Sequence, residues 1–198
     1  MPTIYCVGRN YAAHAREMGA DARPAAEPVV FLKPWGAILA PPGPISLPRG
    51  STEVHHEAEL VVRVGPGAVA EAVALGLDLT DRPRQAAAKK EGLPWARAKG
   101  FRGSAPLGPF VPVSALPPIE TLKFTLRIGG AVRQRGDASL MLTSVPALLA
   151  DLDRWFGLAP GDLVFTGTPE GVGPLASGDR VELTMDGSDA ATARFVVV

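Results

Sequence analysis

Short apolar runs, separated by glycine and proline, recur along the chain, and most of them have the length and residue types of β-strands. Gly129-Gly130 stands between two such runs and predicts a hairpin. The pattern predicts strands over residues 4–7, 29–33, 57–65, 75–80, 107–113, 122–128, 131–135, 163–165, 181–185 and 192–198.

Fewer segments have helical character. The clearest is 144–156, where Val145, Leu148, Leu149, Leu152 and the pair 155–156 recur on one side of a helix. Other predicted helices cover 11–18, 68–75 and 81–91. Few helices among many strands predict a β-rich α+β fold, with one domain spanning residues 1–198.

Composition narrows the class of protein. The chain has 22 glycines and 20 prolines, which suits a loop-rich β protein. Its 20 basic and 20 acidic residues form no basic stripe, so we expect no nucleic-acid partner. The one cysteine, Cys6, lies in an apolar run and is expected to be a core thiol in a reducing compartment. No signal peptide and no long apolar span is evident, so we expect a cytoplasmic protein without a membrane partner.

Three acidic residues at strand ends suggest a metal site. Side chains alternate along a strand, so Glu57 and Glu59 point the same way, and Asp78 ends another apolar run. Three carboxylates suit Mg²⁺ or Mn²⁺ better than zinc, because the group contains no cysteine. The simpler interpretation of Glu57 and Glu59 is a solvated face on an edge strand.

A histidine and a glutamate three residues apart suggest acid–base chemistry. His14 and Glu17 would share one helix face and can touch. Alone, the pair would more often be an exposed ion pair. Residues 166–174 alternate glycine and proline and predict a rigid loop, in which Thr168 is a candidate hydrogen-bond donor to substrate or simply a turn residue.

The sequence resembles the fumarylacetoacetate hydrolase family, in particular its single-domain branch that looks like acylpyruvate hydrolases. The resemblance covers nearly the whole chain. It is carried by seven blocks in order: GRNYAAHAREM (8–18), PVVFLKP (28–34), HHEAEL (55–60), LDLT (77–80), PWARAK (94–99), RQ (133–134) and PGDLVFTGTPEGVGP (160–174).

This resemblance implies a mixed β-roll, a homodimer, and Mg²⁺ or Mn²⁺ bound by the three acids. It also implies a lid near residues 10–27 that carries His14 and Glu17, and a catalytic role for Lys99. The family's substrate contacts match Arg82, Gln85 and Thr168, and Lys33 is a further candidate cation for an anionic substrate. Without the resemblance, Arg82 could equally be a surface cation.

The implied activity is metal-dependent hydrolysis of the carbon–carbon bond of 3-acylpyruvates through a stabilised enolate. Alternatives within the family are an oxaloacetate decarboxylase and a 2-hydroxyhepta-2,4-diene-1,7-dioate isomerase or decarboxylase. A non-catalytic metal-binding module is the alternative from another class. Three departures from the family pattern are Pro83, Leu140 and a short segment over 65–76, the last expected to affect the surface or dimer contacts.

Overall fold

The computed structural model describes residues 1–19 and 27–198, which form a β-rich architecture with four sheets and four helices. The strands are β1 (Ile4–Gly8), β2 (Val29–Lys33), β3 (Ile38–Leu39), β4 (Val54–His56), β5 (Ala58–Val64), β6 (Ala70–Leu77), β7 (Thr80–Asp81), β8 (Ala105–Pro106), β9 (Val111–Pro112), β10 (Lys123–Ile128), β11 (Ala131–Asp137), β12 (Leu163–Phe165), β13 (Gly173–Pro174), β14 (Arg180–Met185) and β15 (Ser188–Val196). The helices are α1 (Ala12–Glu17), α2 (Arg82–Glu91), α3 (Ala96–Lys99) and α4 (Val145–Phe156), and short 3₁₀ turns cover Trp35–Ala37, Val113–Ala115, Ile119–Thr121 and Ala138–Leu140.

The largest sheet has six strands in the order β2-β1-β12-β5-β6-β9. Its β1 and β12 are parallel, while its other neighbouring strands are antiparallel. A second sheet, β11-β10-β14-β15, is antiparallel throughout, and two small sheets combine β13-β4-β7 and β3-β8. The predicted β-rich, mixed α+β class is therefore confirmed.

Strand β5 lies at the centre of the fold and is buried on both faces. Leu60 and Val62 belong to the main core, which also contains Phe124 of β10 and residues of α4. Val61, between them, faces a second apolar cluster that includes Cys6. A strand enclosed in this way needs an uninterrupted apolar run, which is what the sequence provides.

Helix α4 confirms the helical periodicity found in the sequence. Val145, Leu148, Leu149 and Leu152 are buried, as predicted. The last two residues of the predicted stripe, 155–156, are about half exposed, because the helix ends there at Gly157 in the left-handed conformation.

The predicted helix over 68–75 is wrong, because this segment forms strand β6. Its alanines favour helix, but β6 pairs antiparallel with β5 from Ala58↔Leu77 to Val64↔Ala70. Tertiary pairing therefore overrides local propensity. The segment 65–76 contains a tight turn, closed by the Gly65 N–H donating to Val69 O at 2.8 Å, which leads directly into this internal strand. Its expected effect on the surface or dimer contacts stays a prediction.

Other predicted strands are shorter or divided in the structure. The run over 57–65 is a strand from Ala58 to Val64, and the residues before Glu57 form the separate strand β4, which pairs with β7 and β13. The run over 75–80 is divided between the end of β6 and β7. Of 107–113, only Val111–Pro112 is a strand, since Gly108 and Pro109 interrupt the pairing.

The hairpin at Gly129-Gly130 is confirmed by the pairing of β10 with β11. The predicted lid is described only as far as residue 19 and from residue 27, and its residues 20–26 lie outside the described part.

Among the described helices, none has the length and apolar character needed to cross a membrane.

Candidate active site

The three acids come together where strand β5 begins and strand β6 ends. The antiparallel pair Ala58↔Leu77 places Asp78 beside Glu57, and the Asp78 N–H donates to Glu57 O at 2.8 Å. One carboxylate oxygen from each of Glu57, Glu59 and Asp78 lies within 4.8 Å of the others. The side chains are almost completely buried. The cluster predicted from three strand ends is therefore present, and it is not a solvated face.

Three cations surround two of these acids. Lys99, at the end of α3, donates to Glu57 Oε2 at 2.7 Å and to Asp78 Oδ2 at 2.6 Å. Arg82, the first residue of α2, donates to Glu57 Oε1 at 2.6 Å. Lys33 Nζ lies 2.8 Å from Asp78 Oδ1, an ion pair without the angles of a hydrogen bond.

The surroundings of Glu57 and Glu59 shift the pKa values of the two carboxylates in opposite directions. Burial would raise the pKa of Glu57, but Lys99 and Arg82 outweigh it and hold the pKa well below its usual range. The pKa of Glu59 is raised well above its usual value, by burial first and then by the charges of Asp78 and Glu57. Within residues 1–19 and 27–198, Glu59 forms no ion pair, and its Oε2 accepts a hydrogen bond from Gly167 N at 2.7 Å.

This arrangement fits a divalent cation. A metal ligand must be ionised, and a cation beside Glu59 would supply the positive charge that its carboxylate lacks. The donor set consists of oxygen atoms only, which suits Mg²⁺ or Mn²⁺. Neither His55 nor His56 belongs to this group. His55 instead contacts Glu53 at 2.6 Å.

Lys99 remains an ammonium group in this setting. Burial alone would lower its pKa, but the Asp78 and Glu57 carboxylates more than offset burial and raise the pKa above its usual value. We therefore expect Lys99 to act through its positive charge and not as a base. The ring of Phe31 lies beneath the ammonium, with the centroid 4.9 Å away.

His14 and Glu17 contact each other on α1, as predicted from their spacing. His14 Nδ1 lies 3.2 Å from Glu17 Oε2, and His14 is buried. Glu17 Oε1 also accepts a hydrogen bond from Gly171 N at 3.1 Å. Glu17 thus joins helix α1 to the loop 166–174.

Helix α2 confirms the predicted helix over 81–91 and begins at Arg82, with Asp81 as its N-cap. Asp81 Oδ1 accepts a hydrogen bond from Arg84 N at 3.1 Å, and Pro83 is tolerated in the first turn. Arg82, held by Glu57, also donates to Gln85 Oε1 at 3.0 Å. Pro83 therefore does not displace Arg82 or Gln85, the two residues of this helix that are predicted to contact substrate.

Gln134, a residue to which the sequence analysis gave no role, is a buried hydrogen-bonding hub. Its Oε1 accepts from Ala58 N at 2.9 Å and contacts His56 Nδ1 at 3.0 Å, while its Nε2 donates to Thr168 Oγ1 at 2.8 Å and Pro169 O at 2.9 Å. Burial lowers the pKa of His56, whose Nδ1–H then donates to Gln134.

The same network fixes the hydroxyl of Thr168. Thr168 Oγ1 donates its only proton to Ala58 O at 2.9 Å. Its side chain therefore offers a substrate a lone pair, whereas the sequence analysis expected a donor. Gly167, next to it, has a φ of +100°, and a Cβ there would lie 2.7 Å from Asn10 Cβ, so only glycine fits the turn that directs its N–H to Glu59.

One cavity of about 60 Å³ connects these groups. Eight of the ten predicted site residues line it: His14, Glu57, Glu59, Asp78, Arg82, Gln85, Lys99 and Thr168. Lys33 and Glu17 contact lining residues instead, and the substrate-binding role of Lys33 stays a prediction. Leu140 is exposed in a 3₁₀ turn and is not part of the lining.

Two cations that the sequence analysis missed, Arg9 and Lys89, also line the cavity. Lys89 could have been found from its spacing, because Arg82, Gln85 and Lys89 lie at positions i, i+3 and i+7 of one helix. Arg9 gave no such signal, because it follows a strand in an irregular turn.

Comparisons with known proteins identify related sequences and structures. The family model described as "Fumarylacetoacetate (FAA) hydrolase C-terminal" matches residues 3–196. The chain is 41% identical to a mitochondrial oxaloacetate tautomerase of Homo sapiens over 194 residues, covering 93% of this chain and 87% of that protein. It is also 41% identical to an oxaloacetate tautomerase of Escherichia coli (strain K12) over 202 residues, covering 96% and 90%.

Among solved structures, the fold is similar to that of a fumarylpyruvate hydrolase from Pseudomonas aeruginosa in complex with Mn²⁺ and pyruvate. The TM-score is 0.93 at 38% identity, and the match covers 100% of this chain and 90% of that one.

Proposed function

We propose that this chain, which belongs to the fumarylacetoacetate hydrolase family, is a metal-dependent enzyme that interconverts the keto and enol forms of oxaloacetate. The observation that carries the proposal is that a histidine–glutamate pair and three carboxylates meet at one small cavity. Two relatives with 41% identity that carry the name oxaloacetate tautomerase support the choice of substrate.

Glu57, Glu59 and Asp78 would hold the ion, Mg²⁺ or Mn²⁺, through one oxygen each. Such an ion, when bound, stabilises the negative charge that develops on the 2-oxo oxygen of a 2-oxo acid. Lys99 and Arg82 keep their positive charges beside these acids and attract an anionic substrate.

His14 is the candidate base. Its Nδ1–H donates to Glu17, which leaves Nε2 as the basic nitrogen of a ring that lines the cavity. In oxaloacetate, the C3 hydrogens lie between two carbonyl groups and are acidic. His14 would accept a proton from C3 and return a proton to the 2-oxo oxygen, so the net reaction moves one proton and breaks no bond between heavy atoms.

The size of the cavity favours a small substrate. A volume of about 60 Å³ corresponds to roughly four to six water-sized spheres. Helix α1 lies against the loop 166–174 through Glu17 and Gly171, so this volume belongs to an arrangement in which the two elements are in contact.

Hydrolysis of 3-acylpyruvates is the second candidate function. The solved fumarylpyruvate hydrolase with a TM-score of 0.93 supports it. The same histidine could deprotonate a water molecule that attacks the distal carbonyl, after which the bond between C3 and the acyl carbon breaks and C3 receives a proton. This reaction requires space for water beside the acyl group.

A parallel assay tests the proposal. Enol absorbance of oxaloacetate, acetylpyruvate and fumarylpyruvate would be followed with Mg²⁺ or Mn²⁺, with EDTA as the metal-free control. We expect metal-dependent keto–enol conversion of oxaloacetate, and a loss of at least about 100-fold in His14→Gln, the usual size of a general-base contribution. His55→Gln, a histidine outside the cavity, is the matched control and should retain the wild-type rate.

Four results would overturn it. Faster carbon–carbon cleavage of an acylpyruvate would favour the hydrolase, and release of CO₂ from oxaloacetate would favour a decarboxylase. Full activity in His14→Gln would remove the histidine from the mechanism. No activity on any of the three substrates, with metal still bound, would favour the 2-hydroxyhepta-2,4-diene-1,7-dioate isomerase or a non-catalytic metal-binding module.

A further inference from the structure

The charges around the cavity are unbalanced once a divalent ion is bound. The carboxylates of Glu57, Glu59 and Asp78 are matched by the three cations Lys33, Arg82 and Lys99. A divalent ion would therefore leave two positive charges in excess. A ligand with a single carboxylate would neutralise only one of them.

Two further cations, Arg9 and Lys89, line the same cavity. Neither forms an ion pair with any residue in the ranges 1–19 and 27–198. We call them the distal cation pair. They differ from Arg82 and Lys99, which are already bound to the acids of the cluster.

Lys89 is directed to the cavity by its helix. It lies seven residues after Arg82 and four after Gln85, on the face of α2 that lines the cavity. Its ammonium nitrogen lies 5.3 Å from the centroid of the Trp95 ring, which also lines the cavity. Lys89 is exposed overall, and partial burial, followed by the charges of Arg82, Arg9 and Lys99, lowers its pKa, so an anion beside the ammonium would offset nearby positive charge.

Arg9 reaches the cavity from an unusual backbone conformation. It directly follows β1 and has a φ of +61°, in the left-handed region that glycine and asparagine tolerate better than arginine. A strained conformation at a residue that lines a cavity is a reason to examine that residue for function. Asn10, immediately after it, is buried and anchored to Thr166 O at 2.8 Å.

We propose that the distal cation pair binds the second carboxylate of a four-carbon 2-oxo dicarboxylate, so that Arg9 and Lys89 determine the preference for dicarboxylic over monocarboxylic acids. This inference rests on the proposed function, because it takes the metal cluster as the site of the first carboxylate and the 2-oxo group. The positive charge in excess at the loaded cluster and the two distal cations, which form no ion pair among the described residues, both favour a ligand with two carboxylates over a ligand with one.

Binding of two stable 2-hydroxy acids tests the pair without requiring turnover. Malate and lactate share a carboxylate and a 2-hydroxyl group, and only malate has a distal carboxylate. Calorimetric titration into the Mn²⁺-loaded protein would give the dissociation constant of each. The variants are Arg9→Asn, which suits the left-handed conformation and removes the charge, Arg9→Lys, which restores it, and Lys89→Gln.

Lys90→Gln is the matched control, because Lys90 is the next residue of the same helix and does not line the cavity. We expect Arg9→Asn and Lys89→Gln each to weaken malate binding about tenfold, as for the loss of one charge-assisted hydrogen bond, and to leave lactate binding within about twofold. Arg9→Lys should recover most of the malate affinity.

Equal losses for malate and lactate, or no loss for malate, would overturn the inference. The result is independent of the tautomerase assay. A protein that shows the expected malate pattern but leaves oxaloacetate unchanged would keep the dicarboxylate site and lose the proposed reaction. A protein that tautomerises oxaloacetate without the malate pattern would keep the reaction and lose the site.

Discussion

Glu57 and Glu59 are separated by one residue, yet their carboxylates have different surroundings. Two cations contact Glu57, whereas Glu59 is buried beside two other carboxylates and receives a hydrogen bond from Gly167 N. The pKa of Glu57 is accordingly lowered and that of Glu59 raised. At the scale of single residues, Glu59 is therefore the candidate ligand whose charge a bound metal ion would stabilise most.

This difference predicts how the stability of the metal-free protein depends on pH. Because the pKa of Glu59 is higher in the folded than in the unfolded chain, its contribution is fully present below the ordinary value of 4.5 and is lost as pH rises through the folded pKa. Relative to Glu59→Gln, the wild type should lose free energy of unfolding as pH increases above 4.5.

Chemical denaturation in EDTA at a series of pH values would measure this. His56, whose pKa is lowered, contributes a slope of the opposite sign in both proteins, so the difference between them isolates Glu59. A constant difference across the series would show that Glu59 is not the strained carboxylate.

At the scale of elements, Gln134 joins the two main sheets at the site. It belongs to β11 of the four-stranded sheet, but its partners are Ala58 of β5 and the loop residues Thr168 and Pro169. Because Ala58 lies between Glu57 and Glu59, this one side chain fixes the loop against the start of β5, beside two of the candidate metal ligands.

Replacing Gln134 with alanine should lower the free energy of unfolding by about 2–4 kcal/mol, because buried donors and acceptors would lose their partners. Arg135→Ala, an exposed neighbour on the same strand, should change it by less than about 0.5 kcal/mol. Urea denaturation of the two variants would measure the effect, and equal stabilities would contradict a structural role for the hub.

At the scale of the whole molecule, the cluster draws on elements that are distant in sequence. The acids lie at the junction of β4 with β5 and after β6, and the three cations come from β2, α2 and α3. A ligand that binds this cluster only when the protein is folded must stabilise the entire fold. The predicted homodimer belongs to the same scale and stays a prediction, which light scattering in solution would test.

Mg²⁺ or Mn²⁺ at about 100 times its dissociation constant should therefore stabilise the protein by about 2.7 kcal/mol, or roughly 5–10 °C in Tm. Removal of the ion with EDTA should reverse the shift. Glu59→Gln should lose most of the shift, while Glu120→Gln, an exposed acid outside the cluster, should keep it. A full shift in Glu59→Gln would place the ion elsewhere.

The sequence by itself determined the components of this protein. Alternating and continuous apolar runs specified most strands, the periodicity of 144–156 specified α4, and the spacing of His14 and Glu17 specified their contact, because each depends on residues close together in the chain. The types and positions of Glu57, Glu59 and Asp78 likewise predicted an oxygen-only metal site.

Only the tertiary structure decided how these components combine. Residues 70–77 became a strand because β5 was available to pair with them, and no local pattern reports that partner. In the same way, contacts between distant elements place Lys33 in an ion pair with Asp78 and Gln134 in a hydrogen bond with Thr168. They also leave Glu59 without an ion pair among the described residues. The electrostatic character of each acid depends on distances of a few ångströms between elements, and those distances are set by strand register and helix placement.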